Sequence, residues 1–465
     1  MPAPLNWPAT DFPQALSAWP RNKICAVLGD SITAAAFQVT VPPAAVFNNY
    51  YNVGYASWIR FLSEQRVTIG QAQNFGFPGD TILQVSARVA AVIAQQPDFC
   101  IIECGTNDLT QQTPIATMKS QYLNLILRPL VQAGIVCFVT TICPKGSITI
   151  PAGGLQVMNE FNAWLRSLCM GSKLVYQWSI GQYKPSVVLC DVTPYWCNFA
   201  DANGNPNANF LYDNIHPTCQ GAYYLGKTYW NKISPYLDPV DYDWPHPQDY
   251  FIATNPRGNL LHTGTVNNGV MLGTTGTKTA SAGFTFGSGN LATNFIVQRD
   301  AGNSTTVCDL TKEPLTETVA GAEQQRMVLT GSTAGLALEA VVFRAGQVSI
   351  GGAADIQPGD IIQTGVRIKI NSVPTGLLAV TMSSRESGGA AAQEFLDMNT
   401  GNSFLFPQQA AEYPIVGRML TEPQLIMSDS TAYLWKITQY FNATGVNPAS
   451  DITIGCPWVR KFPLI

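Results

Sequence analysis

The sequence predicts two folds in tandem: a three-layer, doubly wound α/β sheet of five parallel strands, followed by an all-β sandwich or jelly roll. Three observations carry this expectation. Between Lys23 and Lys232, short β-branched runs alternate with helical patterns, the signature of βαβ units. Beyond Asn259 helical periodicity vanishes, and short alternating runs follow one another between clusters of Gly, Asn, Ser and Thr. Between the two lies a stretch of Pro, Asp and aromatic residues that cannot be a regular helix. A chain of 465 residues also exceeds what one hydrophobic core sustains. The expected organisation is an N-terminal extension over 1–22, an α/β domain over 23–235, a stiff linker over 236–258 and a β-sandwich domain over 259–465.

In order, the predicted parallel strands cover 24–28, 72–75, 99–103, 136–141 and 187–191. Helices with apolar residues three and four apart are expected over 56–65, 81–95, 114–132, 155–168 and 220–232. The connections over 34–55, 144–154 and 193–212 are long, and each follows the carboxyl end of a strand. Those on the opposite side, 96–98 and 133–135, are short. Ligands of open α/β sheets bind at the carboxyl edge, so the asymmetry marks the working end before any catalytic residue is chosen. In the second half the runs 284–286, 292–298, 325–330, 337–343, 361–370, 377–383, 432–441 and 451–459 read as antiparallel strands. No repeat of 20–50 residues points to a propeller or solenoid.

Composition narrows the function classes. Thirty acidic against 26 basic residues give a net charge of −4. No run of Lys or Arg could track a phosphate backbone, so nucleic acid is not expected as a partner. No stretch reaches the ~18 apolar residues of a membrane helix, so no membrane insertion is expected. The first residues show neither the basic start nor the apolar run of a secretory signal. Eleven cysteines, without a C-x-x-C pair, read as reduced, buried small hydrophobes, with a bridge between Cys197 and Cys219 left open.

The first strand ends in Gly29-Asp30-Ser31, which puts a serine hydroxyl at the working edge; a serine there also suits a helix cap. The second leads through Gly76-Phe77-Pro78 to Gly79, whose backbone can approach a ligand closely. The third leads into Gly105-Thr106-Asn107-Asp108, where the Asn107 amide is either a donor at the edge or a turn residue. Asp30, Asp80 and Asp108 read as carboxylates that orient loops. Of three histidines, His216 follows Asp213 by three residues, so one carboxylate can hold Nδ1–H and aim Nε2 outward. Each signal alone is common. The parallel-sheet reading brings all four to one edge.

Taken together, Gly29-Asp30-Ser31, Gly79, Gly105-Thr106-Asn107-Asp108 and Asp213-x-x-His216 resemble the four blocks of the SGNH hydrolases, also called GDSL-type esterases and lipases. The resemblance spans roughly the first half of the chain. It implies a flavodoxin-like sheet, with Ser31 as nucleophile, His216 as general base and Asp213 as its orienter. The N–H of Ser31, the N–H of Gly79 and the Asn107 side chain would form the oxyanion hole. No cofactor or metal is implied. A hard-cation site from Asp241, Asp243, His246 and Asp249 reads instead as solvent-facing residues of a Pro-rich linker. The run from Gly273 to Thr279 lacks the spacing and the following helix of a phosphate loop. The stretch after Ser31 and the loop before Asp213 are longer than in compact members of the family.

These long loops carry Phe47, Asn48, Asn49, Tyr50 and Tyr51, then Tyr195, Trp196, Asn198, Asn203 and Asn209. Aromatic faces beside neutral amides suit sugar rings, which makes Tyr50, Tyr51, Tyr195 and Trp196 candidate substrate contacts. The same rings suit packing the loops down. The β-half resembles the carbohydrate-binding-like β-sandwich modules appended to many polysaccharide esterases, and with low charge and Gly/Asn/Thr-rich strands the whole chain resembles bacteriophage tail-spike deacetylases. This implies an O-acetylated bacterial surface polysaccharide as substrate, a virion location, and a homotrimer attached to a phage tail. A lipid esterase or thioesterase, and a non-catalytic glycan-binding protein on the same scaffold, are the alternatives.

Overall fold

The computed structural model describes residues 23–34, 54–146, 150–171, 175–179, 182–201, 205–237, 249, 251–252, 254–255, 258–263, 266–315, 322–333, 338–346, 348–351, 354–386, 392–396, 406–421, 424–442 and 446–462. The expected extension over 1–22, most of the linker, and Phe47 to Tyr51 lie outside the described residues, as do Asn203, Asp241, Asp243 and His246.

Strand β1 (Lys23–Gly29) is central to a parallel sheet. Two short strands, β2 (Val67–Thr68) and β3 (Asn74–Gly76), pair along one side of it, and β4 (Phe99–Glu103), β5 (Val136–Thr140) and the strand Val187–Cys190 continue on the other. Among the described residues the sheet thus has six strands rather than five, because Val67–Thr68 pairs with β1 ahead of the strand predicted over 72–75, which is found at Asn74–Gly76. Both faces are apolar in strict alternation. Cys25, Val27, Phe99, Ile101, Val136 and Phe138 face one core, and Ala26, Leu28, Cys100, Ile102, Cys137 and Val139 face the other. Only a sheet covered by helices on both sides tolerates such strands.

The first face is covered by α2 (Gly54–Leu62) and α10 (Cys219–Ile233), counting the four-residue turn of helix Ser31–Ala34 as α1. The second is covered by α3 (Ile82–Ser86), α4 (Val89–Ala94), the run of α6 (Ile115–Gln121), a π-turn (Tyr122–Leu127) and α7 (Arg128–Gln132), and α8 (Gly154–Gly171); α5 (Thr106–Thr110) and α9 (Thr193–Trp196) are short helices that follow strands. The single helix expected over 81–95 is broken. It divides at Ala87 and Arg88, and the Arg88 side chain turns back toward the sheet edge.

The C-terminal half consists of two seven-stranded sheets. One runs Thr275–Thr279, Leu291–Ala301, Leu338–Ala345, Ala432–Asn442, Leu377–Glu386 and Ala392–Leu396, the other Phe284–Gly289, Thr305–Pro314, Glu323–Thr333, Ala449–Phe462, Ile361–Ile370 and Ile415–Leu420. The remaining strand of each, among the described residues, is a two-residue piece: Val348–Ser349 beside Ala432–Asn442, and Gln424–Leu425 beside Ile361–Ile370. Pairing is antiparallel except for the outermost pair at one end of each sheet. Phe295 stacks on Phe343 at 4.9 Å, with Trp435 edge-on to both. Thr275–Thr279 and Thr305–Pro314 were missed in the sequence: the first is exposed and hydroxyl-rich, and the second buries only Thr306, Cys308 and Leu310 between hydroxyl and charged residues.

The core on the α2/α10 face continues without a break into the β-half. Trp58 of α2 meets Tyr223 and Phe406 edge-on at 5.0 and 5.9 Å. Gly417 approaches so closely that a Cβ there would lie 2.3 Å from the Phe61 carbonyl oxygen. Tyr223 and Tyr224 of α10 donate to Glu412 and Gln409 at 2.8 Å each, and Lys227 pairs with Glu412. Among the described residues no helix is long and apolar enough to cross a membrane.

A shared core should unfold as one unit: calorimetry is expected to show a single cooperative transition, whereas two separated transitions would show that each half is stable alone. Trp58→Ala, which empties the seam, is expected to lower stability by about 3–5 kcal/mol in urea titration.

Candidate active site

At the carboxyl end of β1 the chain turns through Asp30 into α1. The Asp30 carboxylate accepts the Ile32 N–H at 3.0 Å, which fixes Ser31 at the first position of the short helix. On the far side, the segment from Asp191 to Thr218 is a built loop. Arg166 grips the Asp191 carboxylate with two bonds of 2.7 and 3.0 Å and reaches the Thr193 hydroxyl at 2.8 Å. Thr218 caps α10 by accepting the Gly221 N–H. The Asp213 carboxylate accepts the backbone N–H groups of Ile215 and His216, closing a tight turn.

That turn carries the imidazole across the sheet edge. His216 Nδ1 lies 2.6 Å from Asp213 Oδ2, and Nε2 lies 2.8 Å from Ser31 Oγ. With the carboxylate on Nδ1–H, Nε2 is the acceptor for the serine hydroxyl. Partial burial pulls the Asp213 carboxyl up, but hydrogen bonds from the His216 N–H, the imidazole and the Ile215 N–H outweigh it and hold its pKa below the ordinary value. Tyr212 stacks on the imidazole at 5.8 Å. A serine, an acceptor nitrogen and an orienting carboxylate in this chain can deliver an alkoxide to a carbonyl and return the proton to a leaving group.

The other blocks are bonded into the same edge. Phe77 N–H donates to the Gly29 carbonyl at 3.1 Å, and Gly79 follows with φ +85°, open to solvent. The Asn107 amide donates to the Asp80 carbonyl at 2.9 Å, which orients it and leaves its second N–H for another acceptor. Asp108 accepts the Ile82 N–H at 2.8 Å and starts α3. Asp80 pairs with Arg88.

Sequence reasoning missed Arg88. It donates to the carbonyls of Gly29 (2.9 Å) and Phe75 (2.8 Å) and so locks the ends of β1 and β3 together. It lay hidden inside an uninterrupted helical pattern. It also gave no role to Lys145, which is 2% exposed and donates to the Thr110 hydroxyl at 3.0 Å.

Two expected substrate contacts are corrected. Trp196 is fully buried, edge-on to Phe210 at 5.5 Å, and offers no face to a ligand. Tyr195 stacks on Tyr224 at 5.4 Å, and Phe210 stacks on the same ring at 5.1 Å. These rings pin the loop to α10, because burying aromatic area against a rigid helix outweighs leaving it in water. The amides follow suit: Asn198 accepts the Ala200 N–H, and Asn207 donates to the Tyr195 carbonyl. The exposed ring beside the nucleophile is instead Phe77, 60% accessible. Tyr50 and Tyr51 lie outside the described residues.

All eleven cysteines are free thiols, Cys197 and Cys219 included. Among the described residues no group of His, Cys, Asp or Glu is disposed to hold a metal ion. Asp249 is engaged by Arg460 at 2.7 Å and by Asn255.

Residues 27–223 match the family model described as the GDSL-like Lipase/Acylhydrolase family. The match supports an ester hydrolase of the GDSL or SGNH type in the N-terminal half. Among curated proteins none matches the chain. Similar solved structures include a lipase/acylhydrolase from Enterococcus faecalis (17% identity, 47% of this chain and 100% of that one, TM-score 0.33). A member of the lipolytic protein G-D-S-L family from Veillonella parvula shows 15% identity over 45% of this chain and 98% of its own, with TM-score 0.32. A carbohydrate esterase family 3 protein from Talaromyces cellulolyticus shows 15% identity over 46% and 97%, with TM-score 0.30.

Assayed on a simple acetate ester, Ser31→Ala and His216→Ala are each expected to lower kcat by roughly 10⁴–10⁶, and Asn107→Ala by roughly 10²–10³. Arg88→Met, which touches no reacting atom, should lower kcat with little change in KM; full activity would show that its bonds to Gly29 and Phe75 are dispensable.

Proposed function

We propose that this protein is a serine esterase that removes O-acetyl groups from a bacterial surface polysaccharide as part of a phage tail spike. The observation that carries the esterase reading is the unbroken chain Asp213–His216–Ser31, with contacts of 2.6 and 2.8 Å. Ser31 attacks the acetyl carbonyl while Nε2 takes its proton. The N–H groups of Ser31 and Gly79 and the free N–H of Asn107 receive the oxyanion. The imidazolium then protonates the sugar oxygen as it leaves. A water deprotonated by His216 finally releases acetate from the acyl-enzyme.

The polysaccharide reading rests on what surrounds the nucleophile. Phe77 stands in a turn pinned at both ends, its N–H on Gly29 and its carbonyl accepting from Asp80, and presents an open aromatic face. A rigid exposed ring suits the apolar face of a pyranose. Asn209 and Asn214, both at positive φ on the loop that carries the histidine, offer neutral amides. The β-sandwich, fused to the catalytic half through a continuous core, would hold the enzyme against an extended chain and carry the trimer and tail attachment.

The deciding experiment is acetate release from a panel of O-acetylated bacterial polysaccharides, with p-nitrophenyl acetate and a long-chain analogue alongside, comparing wild type with Ser31→Ala. Ser31-dependent acetate from one polysaccharide is expected. Hydrolysis confined to long-chain esters would overturn the glycan reading in favour of a lipid esterase. Phe77→Ala should raise KM for the active polysaccharide roughly 2- to 10-fold, with a smaller change on p-nitrophenyl acetate.

A further inference from the structure

Beneath the nucleophile lies a cluster of ionisable groups that the hydrolytic cycle does not use. Asp30 and Glu103 stand at the carboxyl ends of neighbouring strands, where Gly29 and Glu103 are register partners. Both are sealed from solvent, at 0% and 1% exposure. The strand register and the shared burial set the two carboxyl groups beside each other, close enough to interact directly. Asp30 Oδ1 is occupied by the Ile32 N–H, whereas the buried Oδ2 has no donor. Glu103 Oε2 accepts from the Thr33 hydroxyl at 3.2 Å, and that hydroxyl accepts in turn from Tyr55 at 3.0 Å. Two carboxylates cannot share a dry contact without a proton between them, because both their repulsion and their desolvation favour protonating one.

We propose that Asp30 and Glu103 hold a single proton between them, and that this proton ties the turn carrying Ser31 to the turn carrying Asn107. Asp30 precedes the nucleophile by one residue, and Glu103 opens the segment that leads through Gly105 to Asn107. The shared proton therefore adds to the Thr33–Glu103 hydrogen bond a second side-chain link between the turn of the attacking oxygen and the strand of the oxyanion donor. Its loss would set two negative charges against each other and move these groups apart by fractions of an ångström, enough to cost rate where donor geometry is fixed in advance.

The surroundings fit a pair carrying one negative charge. Lys145 and His216 face Asp30 as the cationic or ionisable bases, Lys145 from the loop after β5 and His216 from the loop before α10. Tyr55 from α2, Tyr229 from α10, and the thiols of Cys104 and Cys143 also face the pair. Burial raises each of these four above its ordinary value, so they remain neutral. Burial likewise raises both carboxyls of the pair. Lys145, drawn down by burial but supported by Asp30, balances the single charge. The working state is the singly protonated pair, and raising the pH removes its proton. Asp30 and Glu103 act as positioning residues: neither touches substrate.

The test uses the full chain and two charge-conserving variants. In Glu103→Gln and in Asp30→Asn an amide N–H replaces the shared proton as a permanent donor, and one carboxylate keeps the negative charge. Infrared difference spectra of wild type against E103Q at neutral pH are expected to show the carbonyl stretch of a protonated carboxyl, shifted on deuteration and lost as the pH rises. In parallel, kcat/KM on a simple acetate ester, followed by titration at constant pH, is expected to fall on the alkaline side for wild type. In E103Q that fall should move up by about one pH unit or more. D30N supplies the same readings if E103Q does not fold. Absence of the carboxyl band in wild type would overturn the shared proton outright. An unchanged alkaline fall in a folded variant would overturn its role in catalysis. The kinetic arm rests on Ser31 as the nucleophile but not on the polysaccharide reading. The infrared arm needs neither, so failure of the proposed function and failure of this inference are told apart.

Discussion

The 2.8 Å contact between His216 Nε2 and Ser31 Oγ joins residues 185 positions apart, and most of the N-terminal half exists to hold it. Ser31 is fixed by one strand end, whereas His216 arrives on a long loop from the opposite side of the sheet. A flexible loop would spend most of its time elsewhere, at an entropic cost that grows with every unfixed residue. The structure removes that freedom by three means: the Arg166 fork at the loop's start, the Asp213 turn at its tip, and the stack of Tyr195 and Phe210 on Tyr224 along its length. Rings that suit sugar binding by composition are spent here on rigidity.

The same logic reaches the β-half. Tyr224, on which the catalytic loop stacks, donates its own hydroxyl to Gln409, and neighbouring Tyr223 and Lys227 converge on Glu412. The helix that begins two residues beyond the imidazole's neighbour Pro217 is thus clamped from both sides. The β-half is thus part of the scaffold that holds the histidine loop.

Electrostatics divides the site into layers. At the surface, Asp213 is half-exposed and its ionised form is held by three hydrogen bonds, as an orienting carboxylate requires. One layer down, Arg88 neutralises Asp80 and spends its remaining donors on carbonyls left open where strands end. Deeper still, burial disfavours charge altogether, and Asp30, Glu103 and Lys145 coexist only by compensating one another.

Much of this was legible in the sequence. Parallel strands buried on both faces announce themselves as continuous apolar runs, and β4 was placed to the residue; the four motif segments were locatable because each follows such a strand. The edge strand Thr275–Thr279 was not legible, since its side chains face water and carry no apolar period, and Thr305–Pro314 was not because its buried side alternates through Thr306, Cys308 and Leu310 between polar residues. Nor was the division of roles among aromatics, because whether Trp196 or Phe77 is open depends on what packs over it. Spacing could not reveal that Arg88 breaks a helix to reach Gly29. The sequence by itself determined which segments stand at the sheet's carboxyl edge, because each follows a strand that its own apolar run announces. Only tertiary structure decided which of them are buried, paired and oriented, because burial and hydrogen bonding are set by neighbours tens to hundreds of residues away.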